Sequence, residues 1–385
     1  MRILTVANHL GARGGLERTQ LTMCRELARR GHRVDLIYST AGDFTGDWRG
    51  FAASMTKIGG TLPRSQDPLR TSVEVLNAAR AARALVPDVI YVFRYLDLPF
   101  AAAVGRLVRA AVVLHLCLPQ PHQLPFVVRR SLSHVAMTLS VSYDTASLWR
   151  NTGLPADGVI VVHTGIDMNY YRPAEADRRA ATRRALGIDP DSFLAVYAGR
   201  ISPEKGLDVL MRAGRTIAAR HPDFRLLVVG GPSVGTADDE FERYRSELVS
   251  LSGPLDVVWL GAQRDVLPLI QTADVAVAPS IWSEPFSRSV IEPLACGIPV
   301  VASDVGGNPE ILTNWLSRFL VPADDPDALA EAVGALHSWR SVEPDLGDRC
   351  RLAVVDRLDL SREVDTVEAA LASVAGHEAL VPSVP

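Results

Sequence analysis

Short runs of apolar, β-branched residues alternate along the chain with longer stretches of helical periodicity, the pattern of parallel strands joined by crossover helices. Candidate strands in the first half are RILTVAN, RVDLIYS, VIYVFR, AVVLHL, VAMTLSVS and VIVVHTG; in the second they are FLAVYAG, RLLVVGG, LDVVWLG, DVAVAPS, PVVASD and RFLVP. Helices are expected between them, from about Leu16 to Arg30 and from about Gly206 to Arg220. The reading is α/β, with two doubly wound parallel sheets. Between the two sets, YYRPAEADRRAATRRALGIDPDS is charged and proline-punctuated, as a connection through solvent should be. The boundary is expected near Pro173, giving residues 1–173 and 174–364, with 365–385 a terminal helix crossing back to the first domain. In open α/β sheets ligands bind at the carboxyl ends of strands, so two such domains facing each other would enclose a cleft, and function belongs in the loops after strands.

Composition agrees with this division, since 385 residues at 48% hydrophobic content can fill two cores. Charge is unequal: 20 basic against 12 acidic residues through Arg172, then 20 against 32. The basic half could attract an anionic acceptor, but no contiguous basic run points to nucleic acid. The longest apolar stretch, PFAAAVGRLVRAAVVLHLCLP, is broken by Arg106 and Arg109, so membrane contact is expected to be peripheral at most. MRILTVANHL reads as a first strand without a cleavage pattern, and a cytoplasmic location is expected. Cys24, Cys117, Cys296 and Cys350 lie far apart, as reduced thiols do.

The chemistry concentrates in PSIWSEPFSRSVIEPLACGIPVVASDVGG, Pro279 to Gly307. Its acids Glu284 and Glu292 are eight residues apart, which on one helix would turn them about 80° from each other. Both can serve one ligand if Glu284 lies before the helix. Pro285 disfavours the α region for Glu284, and Ser287 suits an N-cap, so Glu284 is expected on the loop and Glu292 on the helix. The amides of Ser287, Arg288 and Ser289 would then form an anion site at a helix N-terminus. Pro293 should shorten or kink that helix.

A second loop, AGRISPEKG, sets Arg200 and Lys205 after the strand FLAVYAG, two cations suited to a pyrophosphate. A third, HLGARGGLER, carries Gly14 and Gly15 between strand and helix; alone it marks no more than a turn.

These residues carry a resemblance. The E-x7-E run with ACGIPVVAS, the GR-x4-KG loop and the GGLER loop are similar to those of the retaining glycosyltransferases of family 4, which have the GT-B fold. The likeness spans nearly the whole chain. It implies that Glu292 grips the ribose of a sugar nucleotide, Glu284 holds the transferred sugar, and Arg200 and Lys205 hold the diphosphate. Gly15 would face the β-phosphate, Phe286, Ser287, Arg288 and Ser289 would line the donor, and Ala262 to Leu267 would flank the base. His115 would approach the sugar or serve structurally. Where the family has small or aliphatic residues this chain has Ser287 and Arg288, so Arg288 is expected either to add a contact or to face solvent.

By the same resemblance the reaction is transfer of a hexose-type unit, such as glucose or N-acetylglucosamine, with retention, from a nucleotide diphosphate sugar, UDP favoured. No cofactor or metal is expected: the cations and helix amides would stabilise the leaving group. The acceptor would be a saccharide or a small natural product such as an aminocyclitol. Candidate acceptor residues are Arg94, Tyr95 and Asp97, with the Asp43–Trp48 loop beside them. A nucleotide-sugar epimerase of the same fold and a non-catalytic sugar-nucleotide-binding protein are the alternatives. A pyridoxal phosphorylase is disfavoured, because Lys57 and Lys205 are the only lysines and neither has the required context.

Overall fold

The computed structural model describes residues 1–11, 15–61, 68–121, 123–152, 154, 158–233 and 236–376. They form two α/β units, Met1–Thr164 with the described residues from Ser361, and Gly165–Leu360.

In the first unit the chain runs β1 (Arg2–His9), α1 (Gly15–Arg29), β2 (Arg33–Thr40), α2 (Thr45–Arg49), β3 (Ser54–Lys57) and α3 (Pro68–Leu85). It continues β4 (Val89–Val92), α4 (Leu98–Val108), β5 (Ala111–Leu116), α5 (Phe126–Leu132), β6 (Met137–Ser140), α6 (Tyr143–Trp149) and β7 (Val159–Val161). The sheet order is β3-β2-β1-β4-β5-β6-β7, and every recorded pairing is parallel. Every residue of β4 is buried, because helices cover both faces, and its VIYV run is accordingly apolar throughout. β3 has no counterpart among the strands expected from sequence. Its SMTK is short, polar and only half-buried at the sheet edge, so no apolar run announces it.

The second unit runs α7 (Ala176–Ala185), β8 (Phe193–Ala198), α8 (Leu207–Arg220), β9 (Phe224–Val229), α9 (Asp238–Ser252), β10 (Val257–Gly261) and α10 (Leu267–Ile270). Then follow β11 (Val275–Ala278), α11 (Arg288–Ala295), β12 (Val300–Ser303), α12 (Asn308–Ile311), β13 (Leu320–Val321), α13 (Pro326–Gly334), α14 (Trp339–Val342) and α15 (Leu346–Val355). Its parallel sheet is ordered β10-β9-β8-β11-β12-β13.

The units divide at Thr164/Gly165, ahead of the expected Pro173. The physical reason is local. Ile166 bridges Asp359, and Arg351 donates to the carbonyls of Met168 (2.9 Å) and Tyr171 (2.7 Å), so this stretch is fastened to the second unit before the prolines begin. The last helix, α16 (Leu360–Val374), returns to the first unit: Arg30 bonds Asp365 (2.6 Å) and Glu368 (2.7 Å), and His32 meets Glu368 at 2.7 Å. Among the described residues no helix is long and apolar enough to cross a membrane. All four cysteines are free.

Candidate active site

Each sheet reverses its strand order once, between β1 and β4 in the first unit and between β8 and β11 in the second. Loops leaving adjacent strands in opposite directions open a crevice at such a point. In the second unit those loops carry Lys205, after β8, and Glu284, after β11.

Two glycines make the approach possible. Gly206 has φ +67, and a Cβ there would lie 2.0 Å from the carbonyl oxygen of Pro279. Gly306 has φ +57, and a Cβ there would lie 2.1 Å from the carbonyl oxygen of Glu284. Both positions need positive φ and a bare backbone, which glycine supplies. The loops are then laced by Ile281 N–H to the Glu204 carbonyl (3.0 Å) and Gly307 N–H to the Glu284 carbonyl (2.7 Å).

Lys205 donates directly to Glu284 Oε1. The same oxygen accepts from Ser280 Oγ (2.5 Å) and Trp282 Nε1 (3.0 Å), and the lysine ammonium also stands 5.5 Å from the Trp282 ring centroid. Burial of Glu284 opposes its charge, but Lys205 by attraction and hydrogen bonding, with Ser280 and Trp282, outweighs it and holds the carboxyl below the ordinary range. Arg200 lies two residues beyond β8, on the same loop as Lys205. The buried hydroxyl of Tyr197 donates to its carbonyl, its guanidinium reaches Ser233 Oγ (3.2 Å), and Glu204 lies 3.7 Å away. Burial pushes the Tyr197 phenol up, Glu284 adds to this and Arg200 opposes it.

Glu292 lies on α11 and Glu284 before it, as the sequence spacing requires. Ser287 occupies the N-cap position in extended conformation, yet its hydroxyl does not cap the helix; it pairs with Ser289 Oγ at 2.8 Å. The first amides of α11 therefore have no serine cap. Phe286 is buried. Pro293 sits inside α11, which ends two residues later. Arg288 does not face solvent. Its Nε and Nη2 both reach Glu292 Oε1 at 2.9 Å, and both partners act electrostatically on the Tyr171 phenol. Burial disfavours the Arg288 charge, but Glu292 and Tyr171 more than offset it. Burial first, and Glu292 second, push the Tyr171 phenol up. The two acids thus each carry their own cation, Lys205 for Glu284 and Arg288 for Glu292.

Leu267 begins α10 and is buried, whereas Ala262 is exposed after β10, beside Gly231 at the end of β9. Only Ala262 of this pair offers surface to a base.

In the first unit the candidate residues are placed as follows. His115 is 0% exposed; its Nδ1 meets the Tyr91 hydroxyl at 2.7 Å, and Phe93 packs 5.4 Å from its ring. Burial lowers its pKa to about 3, so it is neutral and presents no surface to a sugar. Asp97 is likewise enclosed, with Oδ1 accepting from Thr61 (2.6 Å) and its carboxyl raised by burial, while the Tyr95 ring packs on Trp149 at 5.3 Å. Of the three acceptor candidates only Arg94 keeps a partly exposed charged end. Trp48 is core, its ring tilted against Phe51 at 5.0 Å. Gly15 opens α1 with clear space around it, and Gly14 lies outside the described residues.

Sequence reasoning missed Ser280, Trp282, Tyr197 and Tyr171. The first two lie within four residues of Glu284 and could have been noticed as donors. Tyr171 is remote in sequence from α11 and nothing local signals it.

Known proteins resemble this chain. Residues 178–347 match the family model described as "Glycosyl transferases group 1", and residues 13–170 match "Glycosyltransferase Family 4". A D-inositol 3-phosphate glycosyltransferase 2 of Catenulispora acidiphila is 38% identical over 205 residues, 50% of this chain and 45% of that protein. A D-inositol 3-phosphate glycosyltransferase of Mycolicibacterium gilvum is 36% identical over 57% of this chain and 48% of its own length. The chain spans about half the length of the curated relatives it matches. Among solved structures, Anabaena HepE in complex with UDP superposes with TM-score 0.83 at 20% identity, covering 97% of this chain and 100% of that one. Sucrose-phosphate synthase from Thermosynechococcus elongatus does so with TM-score 0.77 at 20% identity, covering 98% and 100%. At that identity the likeness establishes the fold, which is GT-B.

Proposed function

We propose, since the chain belongs to the family 4 glycosyltransferases, that it transfers a hexose-type unit with retention from a nucleotide diphosphate sugar, UDP favoured, to an acceptor hydroxyl. The observation that carries this is the pair of acids, one on the loop before α11 and one on it, each held by a cation, beside a third cation, Arg200.

The chemistry follows from the partners. Breaking the bond between anomeric carbon and phosphate leaves oxocarbenium character on the sugar and growing negative charge on the diphosphate. Lys205 has three N–H donors and gives one to Glu284, so donors remain for phosphate oxygens. Arg200 and the first amides of α11 add positive potential where that charge develops. Glu284 Oε1 collects the three recorded donors, which fixes the carboxylate and orients Oε2 for sugar hydroxyls. No protein nucleophile is assigned: the departing phosphate accepts the proton from the acceptor as it attacks the same face. No metal ion is required in this scheme.

For the acceptor, the relatives named for D-inositol 3-phosphate favour a hydroxylated ring such as a cyclitol or aminocyclitol over a long glycan. Transfer of radiolabelled sugar from UDP-glucose and UDP-N-acetylglucosamine to a panel of cyclitols and saccharides, in excess EDTA, tests the reading. Labelled, α-configured product is expected. Epimerised donor without any acceptor, or activity that returns only with added magnesium, contradicts it.

A further inference from the structure

We propose that Arg172, Arg178 and Arg351 form a second anion site in the Gly165–Leu360 unit, suited to a small phosphate monoester. They line a cavity of about 360 Å³ together with Glu175 and Gln271. The three arginines come from separate places: the connection before α7, the first turn of α7, and α15. Glu175 is the one acid on the wall, so the cavity carries a surplus of positive charge. Asp274, three residues beyond Gln271, offers no relief, because Arg179, Arg183 and Arg340 already share it. Arg351 spends its donors on the backbone carbonyls of Met168, Tyr171 and Ala295, which leaves its charge unneutralised. Gln271 is buried on the same wall, its amide nitrogen fixed on the Arg172 carbonyl (2.6 Å) and its Oε1 without a hydrogen-bond partner.

Guanidinium groups match phosphate oxygens in pairs, and three arginines line this cavity. The volume lies at the small end of ligand sites, enough for a phosphate with a short hydroxylated body. The site is also wired to the donor acids. Arg351 holds the carbonyl of Tyr171 and that of Ala295, the last residue of α11, the helix that carries Arg288 and Glu292. An anion drawing on Arg351 therefore acts on the position of Glu292 through the end of α11. Binding itself is independent of the proposed reaction; only its effect on the donor rests on that reading.

The test is calorimetric titration of the full chain with sn-glycerol 3-phosphate and, separately, inorganic phosphate. Arg172 and Arg178 are exposed, so R172A/R178A leaves the fold intact. The ester should bind wild type and R200A/K205M alike, and at least about tenfold more weakly in R172A/R178A, as loss of charged hydrogen bonds requires. No binding at millimolar ester, or equal binding in R172A/R178A, overturns the site. Equally tight binding of inorganic phosphate overturns the monoester assignment. The ester should also shift the donor KM of wild type and not of R172A/R178A; an unchanged KM beside confirmed binding overturns the coupling alone.

Discussion

Lys205 and Glu284 meet directly across the strand-order reversal of the second sheet, one from the loop after β8 and one from the loop after β11. The contact joins the folding of this unit to its chemistry, because the ammonium that keeps a buried carboxylate charged is also the one proposed to face the departing diphosphate.

Lys205→Met should lower kcat by about 10² to 10³, as removal of one transition-state donor does. It should also lower stability at pH 7 by roughly 3 to 5 kcal/mol, because Glu284 is left buried and charged without its partner. In K205M/E284Q much of that loss should return, and denaturant unfolding of the four proteins measures the coupling. The pH dependence has a definite sign. In wild type the folded-state carboxyl lies below its ordinary value, so its contribution is present above about pH 4.5 and fades as pH falls through the folded value. In K205M burial prevails, and the variant should gain stability relative to wild type on acidification. Parallel loss in both proteins would contradict the pairing.

Glu292→Gln should raise donor KM about ten- to a hundredfold, the value of a charged hydrogen bond, with a smaller change in kcat. It should destabilise less than Glu292→Ala, since the amide can still accept from Arg288. Initial rates over a donor series, with thermal unfolding alongside, separate the two effects. An unchanged KM removes Glu292 from the donor site.

His115→Gln should leave the pH dependence of kcat near neutrality unchanged, because the buried imidazole is already neutral there. Stability should respond instead. The native histidine resists protonation down to about pH 3 while the unfolded one accepts it near pH 6.5, so wild type loses stability as pH falls below 6.5. The variant should lose less over that range. Disappearance of a limb of the pH–rate profile in the variant would restore His115 to the chemistry.

Most of the architecture could be read from the chain because its inner strands are buried and its edge strands β7 and β10 still carry apolar runs; the short, polar β3 could not. The placement of Glu284 before α11 and Glu292 within it followed from Pro285 and the eight-residue spacing. What lay beyond reach were contacts between distant segments. Nothing near Arg288 announces Tyr171, although the i,i+4 spacing on α11 does allow the arginine to turn back to Glu292. His115 misled for a related reason. In AVVLHL every residue is at least partly covered, so position along the strand does not say whether a polar side chain points to a crevice or into the core. Ser287 was placed correctly, but its hydroxyl chose Ser289 over the helix amides.

The central claim is that Arg200, Lys205, Glu284 and Glu292 serve one sugar nucleotide. Its most direct test is calorimetric titration of UDP into wild type, R200A/K205M and E292Q. Stoichiometric binding to wild type, weakened at least about tenfold in each variant, is the predicted result. Absence of binding to wild type, or the same affinity in all three proteins, would contradict it.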